Sequence, residues 1–306
     1  MDAEFPVCRL CGSSSTDDQG AIPDSDYFAG RVLTSPLGGG RLWACTSCRS
    51  MFRHPILPLT RYLSLYQSGA PDQWSGGEHR EDLRIIRSIL AATQISSALD
   101  VGCGSGDFLA SLPSTIAKFG IEPSSAGSLA SRRGIEIVAR ELDQCCAESR
   151  FDVVTIIDVI EHIPEPNTFL HRAYTHVSPG GMLIVSTGNP DAFVWRRLLK
   201  ARFWYVSFPE HISFPALGFF QLWCARTGAV IAERHETRYQ ILRPLRLALV
   251  VTIQAAFCAS PRAFSWVGRL IDALRAPGKP RRRTFSPGIP GTFVDHQILV
   301  MRKPKI

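Results

Sequence analysis

The chain has 306 residues, of which 45% are hydrophobic, and a formal net charge of +7. This composition excludes a wholly disordered chain, and the length allows one large domain plus a small module. The N-terminus lacks the basic flank and apolar stretch of a secretion signal. The longest uncharged apolar run has 15 residues, whereas about 20 are needed to span a bilayer. We therefore expect a cytoplasmic protein with reduced cysteines.

Four cysteines near the N-terminus form two Cys-x-x-Cys pairs, Cys8 with Cys11 and Cys45 with Cys48, separated by 33 residues. Two such pairs can complete the four-sulfur shell of a structural zinc site, which leaves no open position for a substrate. Free thiols and a redox dithiol are the alternatives. The prediction is a zinc-knuckle module over residues 1–60, followed by a linker over residues 61–80.

Residues 97–109 predict a strand, a glycine loop and a helix, and a further helix is predicted over residues 81–93. The loop reads Asp100-x-Gly102-x-Gly104-x-Gly106. Its spacing differs from the Gly-x-Gly-x-x-Gly of dinucleotide-binding folds, and no Lys-Ser or Lys-Thr pair follows, as a P-loop would require. The loop therefore indicates a ligand that has no pyrophosphate group.

Polar side chains end the strands that follow this loop. Glu122 ends a strand 16 residues after Gly106, where a carboxylate can accept hydrogen bonds from the hydroxyls of a ribose. Asp158 closes a buried strand, and further strands are predicted over residues 180–187, 229–238 and 295–302. Because strands alternate with helices, we expect a parallel sheet with its site at the carboxyl ends of the strands.

The chain resembles the class I S-adenosylmethionine-dependent methyltransferases over residues 78–303. The likeness rests on Leu99-Asp-Val-Gly-Cys-Gly-Ser-Gly, Gly120-Ile-Glu-Pro, Phe151-Asp-Val-Val and Asp158-Val-Ile-Glu-His-Ile. It implies a Rossmann-like α/β domain over residues 81–306, with a mostly parallel sheet and an antiparallel last strand. It also implies that S-adenosylmethionine contacts Asp100, Gly102, Cys103, Gly104, Gly106, Glu122 and Asp158. Glu141 and Asp143 are both candidates for the acid near the adenine.

The four-cysteine module together with residues 52–55, 62–66 and 204–214 resembles the zinc-knuckle methyltransferases of sugar and polysaccharide biosynthesis. In those that methylate carbon, a Glu-His pair is the base and an N-terminal tyrosine assists. The matching positions are Glu210, His211 and Tyr66, with His162 as a second candidate base. The sequence has Phe214 in place of a tyrosine and lacks that group's extra C-terminal domain, which leaves oxygen methylation open. Alternatively, the Glu-His pair caps the helix that follows.

About 50 residues separate the last two predicted strands, and we expect a helical insertion over residues 240–290. Residues 247–259 are apolar nearly all round, and residues 262–275 are amphipathic. The last 45 residues carry ten Lys or Arg against two acids. Apolar helices beside basic residues suit an anionic membrane surface. Peripheral membrane contact through residues 245–285 is therefore one expectation, and a lid or a dimer interface is the alternative.

The expected function is methyl transfer to a small acceptor, namely a sugar or glycan precursor that is nucleotide-linked or lipid-linked. The first 261 residues carry a net charge of −1, so nucleic acid is not the expected partner. The alternatives are an RNA methyltransferase, a quinone-precursor O-methyltransferase and a non-enzymatic zinc-binding interaction protein. The expected location is the cytoplasm, with the inner face of the membrane as the alternative.

Overall fold

The computed structural model describes residues 5–68, 80–239, 243–273 and 294–305. The strands in these ranges are β1 (Thr16–Ala21), β2 (Ser25–Phe28), β3 (Arg31–Leu37), β4 (Arg41–Cys45), β5 (Met51–His54), β6 (Ser97–Val101), β7 (Ala117–Ile121), β8 (Glu136–Ala139), β9 (Phe151–Ile157), β10 (Val177–Gly188), β11 (Ser213–Phe214), β12 (Val230–Thr237) and β13 (His296–Arg302). The helices are α1 (Leu59–Gln67), α2 (Glu81–Ala91), α3 (Asp107–Ala110), α4 (Gly127–Arg132), α5 (Pro166–Thr175), α6 (Leu217–Thr227), α7 (Pro244–Ala259) and α8 (Pro261–Ala273).

A seven-stranded sheet forms the centre of the molecule, in the order β12-β13-β10-β9-β6-β7-β8. Strands β8, β7, β6, β9 and β10 run parallel, whereas β13 pairs antiparallel with both β10 and β12. The predicted fold class is confirmed, including the antiparallel last strand. Because parallel strands end at one edge of the sheet, the residues after β6, β7 and β9 meet there.

The central strands are buried on both faces, as near-continuous apolar runs require. On one face, α2 places Ile86 and Leu90 in a core cluster with Ile298. On the other face, α5 and α6 place Leu170 and Trp223 in a second cluster. Apolar residues at helical spacing thus cover each side of the sheet, and the polar edge above the strand ends stays available for a site.

The N-terminal segment forms a second sheet, in the order β1-β4-β5-β11. Its fourth strand comes from far along the chain, because Ser213 pairs with Phe52 and Phe214 pairs with Met51. Phe52, Met51 and Phe214 are buried side chains. The cysteine-containing segment is therefore joined by backbone hydrogen bonds to the segment that carries the Glu-His pair.

Helix α1 occupies the first half of the segment that the sequence predicted as a linker. Tyr62 packs edge-on against Phe28 of β2, with ring centroids 5.5 Å apart, and this buried contact attaches the helix to the N-terminal segment. The rest of that prediction, residues 69–79, lies outside the described residues.

The predicted helical insertion contains α7 and α8, while its residues 274–290 lie outside the described part of the chain. Helix α7 buries Val250 and Phe257 and leaves Leu245 and Leu249 exposed. In the described ranges no single helix has the length and hydropathy of a membrane span. Leu247–Ala259 and Pro261–Gly268 reach those values only together, across a bend of 117°.

Candidate active site

The glycine loop follows β6 directly at the carboxyl edge of the sheet. Gly102, Gly104 and Gly106 all have left-handed backbones, with φ of 81°, 54° and 78°, which glycine adopts without a steric cost. A Cβ at Gly102 would lie 2.5 Å from Val159 Cγ2, whereas a Cβ at Gly104 would meet nothing within 4 Å. The loop is therefore tightly packed at its start and opens onto free space at Gly104.

Two buried carboxylates adjoin the loop. Glu122, immediately after β7, accepts hydrogen bonds from the backbone N–H groups of Gly104 (2.8 Å) and Ser124 (2.9 Å). Asp100 accepts one from Thr155 Oγ1 at 2.7 Å. Burial raises the pKa of Asp100 to about 7, although the Thr155 hydroxyl opposes the shift. Acceptors of this kind suit a ligand that presents hydroxyls and a cationic group.

Among the remaining residues predicted near the cofactor, Cys103 is buried, whereas Glu141 and Asp143 are exposed. The Cys103 side chain packs into the core, since a Cβ on Gly120 would lie 2.5 Å from its Sγ. A contact from Cys103 to a ligand would therefore come from its backbone. Asp143, which follows β8, forms an exposed ion pair with Arg172, and Glu141 is also exposed.

Asp158 stands at the end of β9 with a left-handed backbone, φ 51°. Its Oδ2 lies 2.6 Å from Arg80 Nη1, and its Oδ1 lies 3.7 Å from His296 Nε2. Burial favours the neutral carboxyl, but Arg80 and His296 hold the pKa of Asp158 well below its usual range. Burial likewise opposes the charge on His296, yet Asp158 and Asp295 raise its pKa to about 10. These groups form a buried cluster of fixed charges at neutral pH.

His211 lies in a buried aromatic pocket. Its Nδ1 is 2.8 Å from the backbone carbonyl oxygen of Tyr205, and its ring lies 4.2 Å from the Tyr205 ring and 4.9 Å from the Phe208 ring, centroid to centroid. Burial lowers the pKa of His211 well below its usual value, and neighbouring His162 adds to the shift. The neutral imidazole donates its Nδ1 proton to Tyr205, which leaves the Nε2 lone pair able to accept a proton.

The structure brings His162 and Tyr66 to the same pocket. The Tyr66 hydroxyl lies 2.6 Å from His162 Nδ1, and the His162 and His211 rings are 4.7 Å apart. Tyr62 donates to the backbone carbonyls of His162 (2.8 Å) and Glu210 (2.7 Å). Burial lowers the pKa of His162 and raises that of Tyr66. Three of the predicted catalytic candidates, His211, His162 and Tyr66, are thus neighbours.

The Glu210 carboxylate faces the N-terminal segment. Its Oε1 accepts a hydrogen bond from the backbone N–H of Ala29 at 3.3 Å. Burial lowers the pKa of Arg53 to about 10, and the charge of Glu210 opposes that shift. Residues 204–214 form the pocket segment. The Arg53 guanidinium donates to three of its backbone carbonyls, those of Val206 (2.6 Å), Phe208 (3.0 Å) and His211 (3.2 Å).

Sequence reasoning missed Glu161, a fully buried carboxylate in the turn after β9. It accepts hydrogen bonds from the Tyr205 hydroxyl and from Thr187 Oγ1, the latter at 2.9 Å. Burial, together with the negative charge of Asp158, raises the pKa of Glu161 to about 7. Its position in the Asp-Val-Ile-Glu-His-Ile motif was the available signal. Arg53, Arg80, Tyr205 and His296 were also missed.

The four N-terminal cysteines converge, with their sulfur atoms within 4.8 Å of one another. Cys8 Sγ lies 3.8 Å from Cys48 Sγ, and Cys11 Sγ lies 3.6 Å from Cys45 Sγ. These distances exceed the roughly 2.05 Å of a disulfide. They match the edge of about 3.8 Å that a tetrahedron has when each zinc–sulfur bond measures about 2.3 Å. The donor set and its spacing fit a zinc ion.

A family model described as a methyltransferase domain matches residues 77–233, half of the chain. The chain belongs to this methyltransferase family. The sheet order and the glycine loop described above are those of the class I fold of S-adenosylmethionine-dependent methyltransferases.

Curated relatives match a shorter stretch of the chain. The ubiquinone biosynthesis O-methyltransferase of Azotobacter vinelandii is 35% identical over 108 residues, which cover 31% of this chain and 47% of that protein. The Salmonella typhimurium protein of the same name is 34% identical over 107 residues, covering 32% and 44%. The chain thus spans about half the length of the curated relatives it matches.

Solved structures that resemble the chain do so at low identity. The N-methyltransferase NodS of Bradyrhizobium japonicum, in complex with S-adenosyl-L-homocysteine, has a TM-score of 0.44 and 15% identity over 72% of this chain and 84% of its own. The magnesium protoporphyrin IX methyltransferase of Synechocystis has a TM-score of 0.46 and 14% identity, over 73% and 82%.

Proposed function

We propose that the enzyme methylates an oxygen or carbon of a sugar or glycan precursor, nucleotide-linked or lipid-linked, and that His211 is the base. The observation that carries this proposal is the neutral, buried imidazole of His211, whose Nδ1 is held by the Tyr205 carbonyl. A hydroxyl, or a carbon beside a ketone, must lose a proton as it gains a methyl group. A neutral histidine with a free Nε2 can take that proton.

Binding of S-adenosylmethionine is assigned to Asp100, Gly102, Cys103, Gly104, Gly106, Glu122 and Asp158. The open space at Gly104 and the buried carboxylates beside it support the assignment. Asp100 would hold the cationic methionine end, and Glu122 would accept hydrogen bonds from the ribose hydroxyls. When bound, S-adenosylmethionine supplies an electrophilic methyl group.

In this scheme the acceptor lies between the cofactor site and the imidazole of His211. The proton would leave the acceptor atom for His211 Nε2, and the electron pair left on that atom would form the new bond to the methyl group. The bond between methyl and sulfur would break, with its electron pair staying on the sulfur. Tyr66 and His162, linked at 2.6 Å, would orient the acceptor by hydrogen bonding. Glu210 would contribute indirectly, through Ala29 and the buried charge of Arg53.

The polar character of the pocket supports a sugar acceptor, since the two imidazoles and the Tyr66 hydroxyl can bond several hydroxyl groups. A quinone precursor is the second candidate. The curated relatives named ubiquinone biosynthesis O-methyltransferase favour it, as do the aromatic rings that line the pocket. The two candidates differ in polarity and can be separated directly with purified acceptors.

We also propose that residues 1–60 form a structural zinc module, residues 61–80 a linker, and residues 81–306 the catalytic domain. The sulfur spacing of Cys8, Cys11, Cys45 and Cys48 supports the metal. Zinc would fix the turns that precede β5, and β5 in turn pairs with β11, next to His211. The metal would hold the pocket segment in place without touching the acceptor.

The test measures methyl transfer with purified protein, a keto-sugar or sugar nucleotide, and a polyprenyl phenol. We expect turnover with the sugar, lowered roughly 10²–10⁴-fold in His211→Ala, with little change in cofactor affinity. His171→Ala, an exposed histidine on α5, is the matched control and should keep normal turnover. Normal turnover of His211→Ala with the sugar would show that another group is the base, and turnover of the phenol alone would favour the second candidate.

A further inference from the structure

His211 acquires a positive charge when it acts as the proposed base, a role on which this inference rests. A buried imidazolium needs a nearby negative charge, because burial disfavours the protonated form. Asp158, Glu161 and Glu210 are buried or half-buried carboxylates near the pocket, and Asp82 and Asp295 are buried beside Arg80 and His296. In the sequence Glu210 is adjacent to His211, which makes it the obvious partner.

Two of these carboxylates act on other groups. The charge of Glu210 favours the charged forms of Arg53 and of His162. Asp158 is 2.6 Å from Arg80 and 3.7 Å from the protonated ring of His296. Asp158 favours protonation of His211, and it also has Arg80 and His296 as partners.

Glu161 differs from both. Its oxygens accept hydrogen bonds from the neutral hydroxyls of Tyr205 and Thr187. Within residues 80–239 and the other described ranges, Glu161 forms no ion pair at 4 Å or less. One of its carboxylate oxygens and one nitrogen each of His162 and His211 lie within 4.8 Å of one another. Its charge is thus close enough to stabilise a proton on the imidazole, and no cation is paired with it among the described residues.

A second connection runs through Tyr205. The Tyr205 hydroxyl donates to Glu161, while its backbone carbonyl accepts the Nδ1 proton of His211 at 2.8 Å. The Tyr205 ring lies against Gly188, where a Cβ would come within 2.5 Å of Cε1. In addition, the N–H of Ile212 donates to the backbone carbonyl of Glu161 at 2.8 Å. Glu161 is therefore linked to the His211 side chain through Tyr205 and to the adjoining backbone through Ile212.

We propose that Glu161, rather than Glu210, is the carboxylate partner of His211. It is a positioning residue that fixes the imidazole through Tyr205 and stabilises the imidazolium formed during methyl transfer. The acceptor proton moves to His211 Nε2 and later leaves to solvent, while Glu161 stays ionised and forms no covalent bond. The titratable groups facing this pair are His162, Arg53, Asp158, Tyr66, Tyr205 and Glu210.

The sign of the pH dependence follows from these neighbours. The partner must be ionised, and burial raises the pKa of Glu161 to about 7, so turnover should fall as the pH drops through about 7. Burial, His162 and Arg53 lower the pKa of His211, whereas the Tyr205 carbonyl and Asp158 raise it. Without the Glu161 charge, the fall of turnover at acid pH depends only on protonation of His211, whose pKa is low. This acid limb of the pH–rate profile should therefore move to lower pH.

The experiment compares the pH–rate profiles of Glu161→Gln, Tyr205→Phe and Glu210→Gln. Glu161→Gln should lower the plateau turnover about 10–100-fold and move the acid limb down by about 1 pH unit or more. Tyr205→Phe keeps the carbonyl and the ring but loses the bond to Glu161, so it should give a smaller loss. Glu210→Gln should leave the position of the acid limb unchanged.

Circular dichroism and S-adenosylmethionine binding establish that each variant is folded. If Glu161→Gln does not fold, the pH–rate profile of Tyr205→Phe is the test. A wild-type plateau and acid limb in folded Glu161→Gln would overturn the inference, as would a shifted limb in Glu210→Gln alone. Normal turnover of His211→Ala would instead overturn the proposed base, so the two failures are distinguishable.

Discussion

At the scale of single residues, the site depends on backbone conformations that few side chains permit and on carboxylates that burial keeps away from water. Gly104 combines φ of 54° with open space at its missing Cβ. Glu122 is 6% exposed, and its two oxygens hold the N–H groups of Gly104 and Ser124. A change at either position therefore alters the cofactor loop without removing core packing.

We expect Gly104→Ala and Glu122→Gln to weaken S-adenosylmethionine binding while the domain stays folded. Loss of hydrogen bonds to a charged group should cost about 1.5–3 kcal/mol, which is roughly 10–150-fold in Kd. Calorimetric titration measures the effect. Gly134→Ala is the matched control, because Gly134 also has a left-handed φ, 79°, and nothing within 4 Å of its missing Cβ. If both variants bind as tightly as this control, the cofactor assignment is wrong.

At the scale of elements, the pocket segment is held by the N-terminal sheet rather than by its own helices. Strand β5 pairs with β11, and Arg53 on β5 binds three carbonyls of the segment that leads to His211. Helix α6 approaches the cysteine cluster so closely that a Cβ on Gly218 would lie 2.6 Å from the Cys48 carbonyl oxygen. The position of His211 should therefore depend on whether the cysteine module is folded.

We expect one tightly bound zinc per chain, lost in the double variant Cys45→Ser/Cys48→Ser. Elemental analysis of protein purified without chelator measures the metal. Because bound zinc supplies folding free energy, the variant should also have a lower Tm and a lower turnover. Cys146→Ser, an exposed cysteine outside the cluster, should change neither. Metal-free wild-type protein with full stability would show that the four thiols are not a zinc site.

At the scale of the whole molecule, helices α7 and α8 form a bent pair attached to the catalytic domain. Phe257 is fully buried, and Gln254 donates to the Arg202 carbonyl at 3.1 Å. The outer side exposes Leu245, Leu249 and Trp266. We propose that these side chains contact an anionic membrane, as exposed apolar residues followed in the sequence by Arg281, Arg282 and Arg283 predict.

Cosedimentation of the protein with vesicles of neutral and of anionic phospholipid measures this membrane contact. Binding should require the anionic lipid and weaken as salt screens the charges. The double variant Leu249→Glu/Trp266→Glu should lose binding, whereas Val230→Glu, which changes an exposed valine on β12, should retain it. Gel filtration provides the second readout: a dimer that the double variant abolishes, without any vesicle binding by the wild type, would identify the surface as a subunit interface.

The sequence by itself determined the features that depend on local pattern. The apolar strands and the amphipathic helices between them were enough to predict a parallel sheet, because strands that alternate with helices are covered by those helices on both faces. The glycine spacing after Asp100 predicted the loop, because left-handed conformations require glycine. The two Cys-x-x-Cys pairs predicted the convergence of four sulfurs, because each pair is a local turn.

Only the tertiary structure decided how the charges are paired around the base. Glu210 and His211 are adjacent in the chain, yet the Glu210 carboxylate faces Ala29 while the His211 ring lies between Tyr205 and Phe208. Neighbours in a non-helical segment can point in different directions, so adjacency does not establish contact. The carboxylate near His211 is Glu161, 50 positions earlier. The same holds for Arg80 with Asp158 and for Arg53 with the pocket segment, because such contacts arise only when distant elements pack together.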